Sequence, residues 1–297
     1  MINFVMMVGI AGSGKDYFIQ KNYPDYVHVS SDTIRAEVFG DVNDQSHNAE
    51  VFEIMKKRII EALKEGKNVV YNATNLSSKR RVAFLKNIAH IPCYKICQVV
   101  APHIEDIYRQ NRERDRKVPE EVIKRMIESF QVPSVQEGFD EVRLYRPDYS
   151  PTEKGAYIAK LNAVSENMSH DNPHHKLSVG KHMQQAYLNC FFDNEPQILR
   201  AAAMWHDIGK IYTKVFHNAR GVKTDIAHYY CHERVGAYMA LSFLDFDIES
   251  ILYIALLIEH HMDFFKSEKY LDKIRNFYGK NFYKDLLRLH KADVEAH

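Results

Sequence analysis

A glycine-rich segment near the start of the sequence has the residue types and spacing of a phosphate-binding loop. Gly9, Gly12, Ser13 and Gly14 lead to Lys15 in the pattern G-x-x-x-x-G-K. Glycines let successive backbone N–H groups face phosphate oxygens, and the lysine reaches the β- and γ-phosphates. The segment follows an apolar stretch and precedes a helical pattern, as such a loop requires. We therefore expect ATP or another nucleoside triphosphate to bind here with Mg²⁺; the alternative is a simple glycine turn.

The residue after the lysine departs from this pattern. A Ser or Thr hydroxyl usually binds Mg²⁺ at that position, whereas this sequence has Asp16. A carboxylate can also hold Mg²⁺, directly or through water, although it adds negative charge beside the phosphates. Two interpretations therefore stay open: the domain transfers a phosphoryl group, or it only binds nucleotide.

Two further groups of charged residues in the first half could act on a phosphorylated substrate. If Ser31 caps a helix, Asp32 and Arg35 share one helix face at the ligand-binding edge of a sheet. Asp32 could accept the proton of an attacking hydroxyl while Arg35 holds a phosphate; the alternative is a capping aspartate beside a local arginine. The arginine-rich segment 109–119 could be a lid that stabilises charge on a transferring phosphoryl group. Its alternative is a solvated helix with salt bridges.

Most of the 16 histidines lie in the second half of the sequence. The residues of interest there are His182, His206, Asp207, His232, His260, His261 and Asp293. Imidazole nitrogen together with carboxylate oxygen suits Mn²⁺, Fe²⁺, Co²⁺, Ni²⁺ or Zn²⁺. Such a metal would acidify a bound water for attack at phosphorus. Taken singly, each histidine is more often a surface or capping residue.

The hydrophobic pattern predicts two domains of different class. Strands are expected at 2–8, 26–30, 68–72 and 94–100, between helices at 15–22, 33–39, 47–65 and 78–88. This alternation predicts an α/β domain, with a parallel sheet and helices on both faces, over residues 1–148. Pro147 and Pro151 mark the boundary. An all-α domain is expected over 152–297, with helices at 179–192, 197–208, 233–244, 248–262 and 282–296.

Composition narrows the class of protein. The chain has 297 residues, 45% of them hydrophobic, and a net charge of +1, so it lacks a large basic field for nucleic acid. A local basic cluster can still suffice for that purpose. Four cysteines without a CxxC pair favour reduced thiols and a cytoplasmic protein. The apolar start is too short to span a membrane, so no membrane partner is expected.

The first 145 residues resemble the kinase domain of bacteriophage polynucleotide 5′-kinases. The phosphate-binding loop, the SxDxIR segment, a strand ending in Ala-Thr-Asn, the arginine-rich lid and the following Val-Pro-Glu-Glu-Val-Ile carry the resemblance. It implies that Lys15 contacts phosphates, Asp32 is the general base and Arg35 binds the acceptor phosphate. Related kinases often have Asp at the position of Asn72, which together with Asp16 suggests that Mg²⁺ binding has moved between two loops.

The same resemblance implies which arginines act from the lid. Arg112 and Arg116 are the best candidates by position. Arg109 and Arg114 stay open, because the arginine-rich segment does not fix the register.

Residues 160–297 resemble the HD phosphohydrolase superfamily. The segment Trp-His-Asp-Ile-Gly-Lys at 205–210 is the signature, and 172–182 looks like the first-ligand helix. By this resemblance His182, His206, Asp207 and Asp293 hold a first metal. His232 and His261, with His260 less securely, would hold a second, and Lys210 would contact the scissile phosphate.

Together these features predict a bifunctional enzyme that heals nucleic-acid ends. One domain would phosphorylate a 5′-OH, and the other would remove a 3′-phosphate or 2′,3′-cyclic phosphate with one or two transition metals. RNA ends are favoured over DNA ends, and a ligase would act next. Two alternatives remain: a nucleoside or metabolite kinase fused to a nucleotidase, and a nucleotide-gated HD hydrolase with an inactive kinase domain.

Overall fold

The structure, a computed structural model, describes residues 2–173 and 176–296. The chain divides into two compact units, which are described separately. The first unit comprises residues 1–126 and 133–146, and the second comprises 127–132 and 147–297. The boundary expected between residues 148 and 152 stays a prediction. The assignment of 127–132 to the second unit was not anticipated from the sequence.

The first unit is built on a parallel sheet. Its strands are β1 (Asn3–Val8), β2 (Val27–Ser30), β3 (Val69–Asn72), β4 (Tyr94–Val100) and β5 (Glu141–Tyr145). They lie in the order β2-β3-β1-β4-β5, and each pair is parallel. In this order β1 and β4 are neighbours, and the loops that follow β1, β2 and β3 share the carboxyl edge of the sheet.

Helices cover both faces of this sheet. The helices of this part of the chain are α1 (Lys15–Asn22), α2 (Ser31–Ile34), α3 (Asn48–Lys64), α4 (Ser78–Asn87), α5 (Ile104–Glu113) and α6 (Glu120–Glu128), and the last two residues of α6 belong to the second unit. Phe18 of α1 packs in a core cluster with Val5 and Met7 of β1. Phe84 of α4 stacks on Phe4, with the ring centroids 5.5 Å apart. Because successive side chains of a strand point to opposite faces, α1 and α4 lie on opposite sides of the sheet.

The second unit is mainly helical. Its helices are α7 (Pro151–Asn167), α8 (Val179–Phe192), α9 (Gln197–Trp205), α10 (Lys210–Thr213), α11 (His232–Phe243), α12 (Ile248–His260), α13 (Glu268–Tyr278) and α14 (Lys280–Val294). Ser150 begins α7 with a capping box, in which its hydroxyl and the Glu153 carboxylate bond each other's backbone N–H. The predicted fold class is therefore confirmed for both parts of the chain.

Some elements were not expected. β5 completes the sheet of the first unit, and an antiparallel hairpin of β6 (Lys214–His217) and β7 (Lys223–Tyr229) interrupts the helices of the second. The expected helix at 33–39 is split into α2 and a π-helical turn, Arg35–Phe39. No helix in the described residues is both long and apolar enough to cross a membrane.

Residues 127–132 are part of the core of the second unit. Phe130 is fully buried and meets the ring of Tyr238 edge to face, with centroids 5.1 Å apart. The N–H of Val132 donates to Oε2 of Glu259 over 2.7 Å. The segment thus fills space that the helices of the second unit do not fill themselves.

Candidate functional sites

The glycine-rich loop joins β1 to α1 at the carboxyl edge of the sheet. Gly12 and Gly14 have φ values of +85° and +87°, a conformation that favours glycine. A Cβ on Gly9 would lie 2.7 Å from Oγ of Ser13 and 2.9 Å from the carbonyl oxygen of Val100. The loop conformation therefore requires glycine at these positions, and the backbone N–H groups lead into the positive end of α1.

Lys15 lies folded against this loop. Its Nζ donates to the carbonyl oxygens of Gly9 and Ile10 over 3.0 and 2.9 Å. Burial lowers the pKa of the ammonium group to about 8, against the opposing effect of the Asp16 and Asp32 carboxylates. A phosphate group in the loop would favour the charged form of this lysine.

Asp16 and Asn72 are brought together at the edge of the sheet. Nδ2 of Asn72, the last residue of β3, donates to Oδ1 of Asp16 over 2.7 Å. Asn72 is buried, and Asp16 is exposed beside the loop. The two positions that depart from the kinase pattern are therefore in direct contact.

Asp32 lies between two arginines. Its Oδ1 is 3.1 Å from NH1 of Arg35, and its Oδ2 is 2.8 Å from NH1 of Arg116. Arg35 is 5% exposed, and its NH2 donates to Oδ1 of Asn48 over 2.6 Å. Nε of Arg35 is buried without a hydrogen-bond partner among the described residues. This buried guanidinium has an unused donor beside a half-exposed carboxylate, which suits recognition of an anionic acceptor.

Four side chains of the second unit converge on one point. Nε2 of His182 and Nε2 of His206 are 3.2 Å apart. Each is 3.5 Å from Oδ2 of Asp207, and they lie 2.9 and 3.3 Å from Oδ1 of Asp293. Ligand atoms at metal-binding distance from one ion lie about 3.0–3.6 Å apart. The spacing of these four atoms therefore fits one transition-metal ion.

A second group of ligand atoms shares Asp207. Its other oxygen, Oδ1, is 3.2 Å from Nε2 of His232 and 3.7 Å from Nε2 of His261. These two imidazole nitrogens are 3.2 Å apart. The carboxylate of Asp207 can therefore bridge two ions, one for each pair of histidines.

The hydrogen bonds of the four imidazoles support metal binding. Each Nδ1 lies 2.7–2.8 Å from a backbone carbonyl oxygen, those of Ala296, Ala203, Tyr229 and Ile258. Because a carbonyl oxygen only accepts, each Nδ1 carries a proton, and the Nε2 atoms face one another, each with a lone pair when its ring is neutral. Facing lone pairs at 3.2 Å repel each other unless a cation lies between them. The residues present thus fit one or two divalent metals.

The electrostatics of the cluster lead to the same conclusion. Burial lowers the pKa of His206, but the carboxylates of Asp207 and Asp293 outweigh it and raise this pKa to about 10. Burial would raise the pKa of Asp207, but Lys210 and His206 hold it well below the usual range. Burial lowers the pKa of His261, aided by neighbouring imidazoles. The carboxylates thus create a site that attracts cations, either protons or metal ions.

Comparison with known families agrees with this geometry. Residues 4–133 match the family model of the AAA domain, and residues 174–295 match that of the HD domain. The chain carries an AAA domain followed by an HD domain. The predicted P-loop domain and HD domain are therefore both confirmed, and the AAA domain is kinase-like.

Other comparisons are less extensive. No curated protein matches the sequence at a significant level. A chain in the solved structure described as "Structure of Pnkp1/Rnl/Hen1 complex" is 21% identical, with a TM-score of 0.35. The match covers 40% of this chain and 40% of that chain, which is less than half the length of either.

The four arginines of the segment predicted to be a lid occupy different places. Arg116 contacts Asp32, whereas Arg112 forms an exposed pair with Glu120 at 3.3 Å. NH1 of Arg114 is only 3.6 Å from where a Cβ of Gly12 would lie, and this buried nitrogen has no hydrogen-bond partner among the described residues. Arg109 pairs with Asp106 at 2.7 Å. Arg114, left open in the sequence, is therefore the arginine that faces the phosphate-binding loop.

Two residues predicted for the HD domain have other partners. His260 does not join the cluster, because its Nδ1 lies 2.6 Å from Oδ2 of Asp263 and its Nε2 lies 3.2 Å from the hydroxyl of Tyr278. Lys210 donates to Oδ2 of Asp207 over 2.6 Å and is buried. Its predicted contact with the scissile phosphate stays a prediction.

His170 was missed by the sequence analysis. It is 1% exposed, and its Nε2 lies 4.0 Å from Oδ2 of Asp207 while Nδ1 bonds the carbonyl oxygen of Leu177. A histidine shortly before the first-ligand helix was the available signal. His174 and His175, in the segment predicted to belong to the first-ligand helix, lie outside the described residues.

Proposed function

We propose that this protein heals broken nucleic-acid ends, by phosphorylating a 5′-OH and removing a 3′-phosphate or a 2′,3′-cyclic phosphate. The observation that carries this proposal is that one chain pairs a phosphate-binding loop and an acceptor-side Asp32 with an HD cluster suited to two ions. RNA cleaved through its 2′-OH leaves a 5′-OH and a 2′,3′-cyclic phosphate. Both ends then need repair before a ligase can join them, and RNA is therefore the favoured substrate.

In the kinase half, Lys15 and the loop hold the β- and γ-phosphates of ATP. Arg35 binds the phosphate of the acceptor nucleotide, and Asp32 takes the proton of the 5′-OH as that oxygen attacks the γ-phosphorus in line. Asp16 and Asn72 would hold Mg²⁺ together, since they are in contact beside the loop. Their carboxylate and amide oxygens are ligands of the kind that Mg²⁺ prefers.

The lid assignment follows from the placement of the arginines. Arg114 is the nearest of them to the phosphate-binding loop, and its NH1 is available for a phosphoryl oxygen. Its guanidinium would stabilise the charge that spreads over the transferring group. Arg116, on the carboxylate of Asp32, orients the general base. Arg112 is exposed on its pair with Glu120, which favours a surface role.

In the hydrolase half, His182, His206, Asp207 and Asp293 would hold one metal, and Asp207, His232 and His261 the other. Such ions supply the Lewis acidity that activates water for attack at phosphorus. The protein's part is to fix the ligands: the backbone carbonyls orient all four imidazoles, and Lys210 holds the bridging carboxylate of Asp207 in place.

The two activities should be separable, because their residues lie in different domains. Lys15→Ala is expected to abolish 5′ phosphorylation of a 5′-OH, 3′-phosphate oligonucleotide and to spare removal of the 3′-phosphate. His206→Ala is expected to do the reverse. In each variant, the activity that is retained shows that the unmutated domain is folded. A folded Lys15→Ala protein that lost both activities would contradict the assignment of separate sites.

A further inference from the structure

The β6–β7 hairpin carries a feature that the proposed function does not use. We call the hairpin with the following residue, residues 214–230, the hairpin platform. It connects α10, which carries Lys210, to α11, which begins at His232. Both of these residues contact Asp207. The platform is therefore attached at both ends to elements that form the metal cluster.

One face of the platform packs onto the rest of the HD domain. The hydroxyl of Tyr229 donates to the carbonyl oxygen of His170 over 2.5 Å, and Nζ of Lys210 lies 5.3 Å from the centroid of the Tyr229 ring. Ala227, two residues earlier, is fully buried. Since side chains alternate along a strand, His228 points to the other side, and the ring of Tyr230, the residue after the strand, lies against that of His228.

That other side holds a row of nearly parallel rings. The rings of His228 and Tyr230 have centroids 5.5 Å apart and planes 4° apart. The ring of His217 stacks on Tyr230 from β6, at 6.3 Å and 23°. Tyr230 is 38% exposed, and His217 is exposed as well. His228 is half-buried, and the partly exposed, aligned rings offer π-faces to a flat ligand.

The charges of the platform fit an anionic strand. It contains Lys214, Arg220 and Lys223 against a single carboxylate, that of Asp225, which gives a formal charge of +2 without the histidines. Lys214 is committed to Asp171 at 2.6 Å, but Arg220 and Lys223 are exposed. Aromatic rings combined with cations are the features by which proteins bind single-stranded nucleic acid, because bases stack and phosphates pair with the cations.

The row of rings lies next to a predicted metal ligand in the chain. The carbonyl oxygen of Tyr229 accepts from Nδ1 of His232 over 2.8 Å, so the end of β7 orients one of the predicted ligands. Tyr230 lies two residues before His232 in the chain. Only Cys231 separates the row from the predicted ligand His232 in the chain, so a strand bound on the row would lie on a segment that leads directly into the cluster.

We propose that the hairpin platform binds the last nucleotides of a single-stranded nucleic acid, with a base stacked on the row of His217, Tyr230 and His228. Arg220 and Lys223 hold the backbone phosphates, and the 3′ end reaches the metal cluster. This inference rests on the proposed function and identifies how the HD domain would prefer an oligonucleotide to a free nucleotide.

The first test compares the hydrolysis of a 3′-phosphorylated decanucleotide with that of a mononucleoside 3′-phosphate. Tyr230→Ala combined with His228→Ala is expected to raise KM for the decanucleotide about tenfold, as loss of one stacked base would. Both kcat and the hydrolysis of the mononucleotide should stay the same, as should the metal content. Tyr230→Trp should preserve the low KM. Phe192→Ala removes an aromatic ring that is 77% exposed on α8 and is the matched control.

A second test does not depend on hydrolysis. A decanucleotide with 4-thiouridine next to its 3′ end, irradiated with the metal-free protein, should form a crosslink to the peptide that contains Tyr229 and Tyr230. A crosslink without any hydrolysis would support the platform and contradict the proposed hydrolase. Hydrolysis of the decanucleotide with an unchanged KM in the double variant, and no crosslink, would overturn the platform and leave the proposed function intact. If the double variant lost both mononucleotide hydrolysis and its bound metal, the platform would also be overturned, since the rings would then be structural.

Discussion

The carboxylate of Asp207 divides its oxygens between two pairs of imidazoles. Oδ2 faces His182 and His206, and Oδ1 faces His232 and His261. Asp293 contacts only the first pair. Because one residue belongs to both groups, its loss would affect both proposed metal positions, whereas the loss of Asp293 or His261 would affect one.

We expect Asp207→Ala to remove both metals from the purified protein. Loss of a residue that binds both metals should lower metal affinity more than loss of a residue that only hydrogen-bonds to a ligand. Loss of the latter kind typically costs about 10- to 100-fold in metal affinity. Asp293→Ala and His261→Ala should each empty one site. Elemental analysis after gel filtration measures the metal content of each variant directly.

His260→Ala is the matched control for these variants. It removes the neighbouring histidine, which is engaged by Asp263 and Tyr278, and it should leave the metal content unchanged. If His260→Ala loses as much metal as His261→Ala, or if Asp207→Ala keeps two ions, the cluster is assigned incorrectly.

The sequence predicts which residues form the two sites better than it predicts how those residues are arranged. The His-Asp doublet and the phosphate-binding loop depend on local spacing, so they are visible in the sequence. Which of His260 and His261 faces the cluster depends on where α12 ends and a 3-10 turn begins, at residue 261. The sharing of Asp207 depends on the packing of helices far apart in the chain, and no local pattern contains it.

Among the elements, α5 and the segment after it determine what reaches the phosphate-binding loop. α5 ends at Glu113, and Arg114 leaves the helix in an extended conformation. This change of direction lets NH1 of Arg114 approach Gly12 while Arg112 stays on the helix surface. A helical pattern continued through 109–116 would have placed these two side chains differently.

We expect Arg114→Ala to lower kcat for 5′ phosphorylation by about 100-fold, which is typical for the loss of one preorganised donor to the transition state. Arg112→Ala should stay within about threefold, because an exposed ion pair such as that with Glu120 contributes about 1 kcal/mol or less. Steady-state rates at saturating ATP and oligonucleotide measure the difference. Equal losses in the two variants would contradict the assignment of Arg114.

The first four strands of the parallel sheet were predictable, whereas β5 and the hairpin were not, for a physical reason. β1, β3 and β4 are buried apolar runs, and the predicted bounds differ from the observed ones by at most a residue. β6 and β7 carry lysines, histidines and an aspartate, and β5 contains two charged residues. These strands are stabilised by pairing with neighbours and by packing on one face, which the sequence of a single strand does not reveal.

In the molecule as a whole, one short segment belongs to a different unit from the residues on either side of it in the chain. Residues 127–132 precede β5 of the first unit, yet they belong to the core of the second. A boundary drawn from prolines and composition finds the change near 147–151, but it misses this segment, because contacts such as that between Phe130 and Tyr238 span more than a hundred residues of sequence.

We expect Phe130→Ala to destabilise the HD domain by about 3–5 kcal/mol, because it leaves a cavity against Tyr238. Phosphatase activity should therefore be lost at a lower temperature, while the heat inactivation of kinase activity stays the same. Both are measured as residual activity after heating. Phe192→Ala, at an exposed ring, should shift neither curve. A Phe130→Ala protein that loses only kinase activity early would contradict the assignment of this segment to the second unit.

The proposal of end healing is tested most directly on an RNA stem-loop cleaved to leave a 5′-OH and a 2′,3′-cyclic phosphate. After incubation with the unmodified protein, ATP and a divalent metal, both ends are scored on one gel. We expect a 5′-phosphate and a 3′-OH, and hence an RNA that an added ligase can seal. If both ends remain unchanged while free nucleotides are phosphorylated or dephosphorylated efficiently, the protein acts on small molecules and the proposed function is wrong.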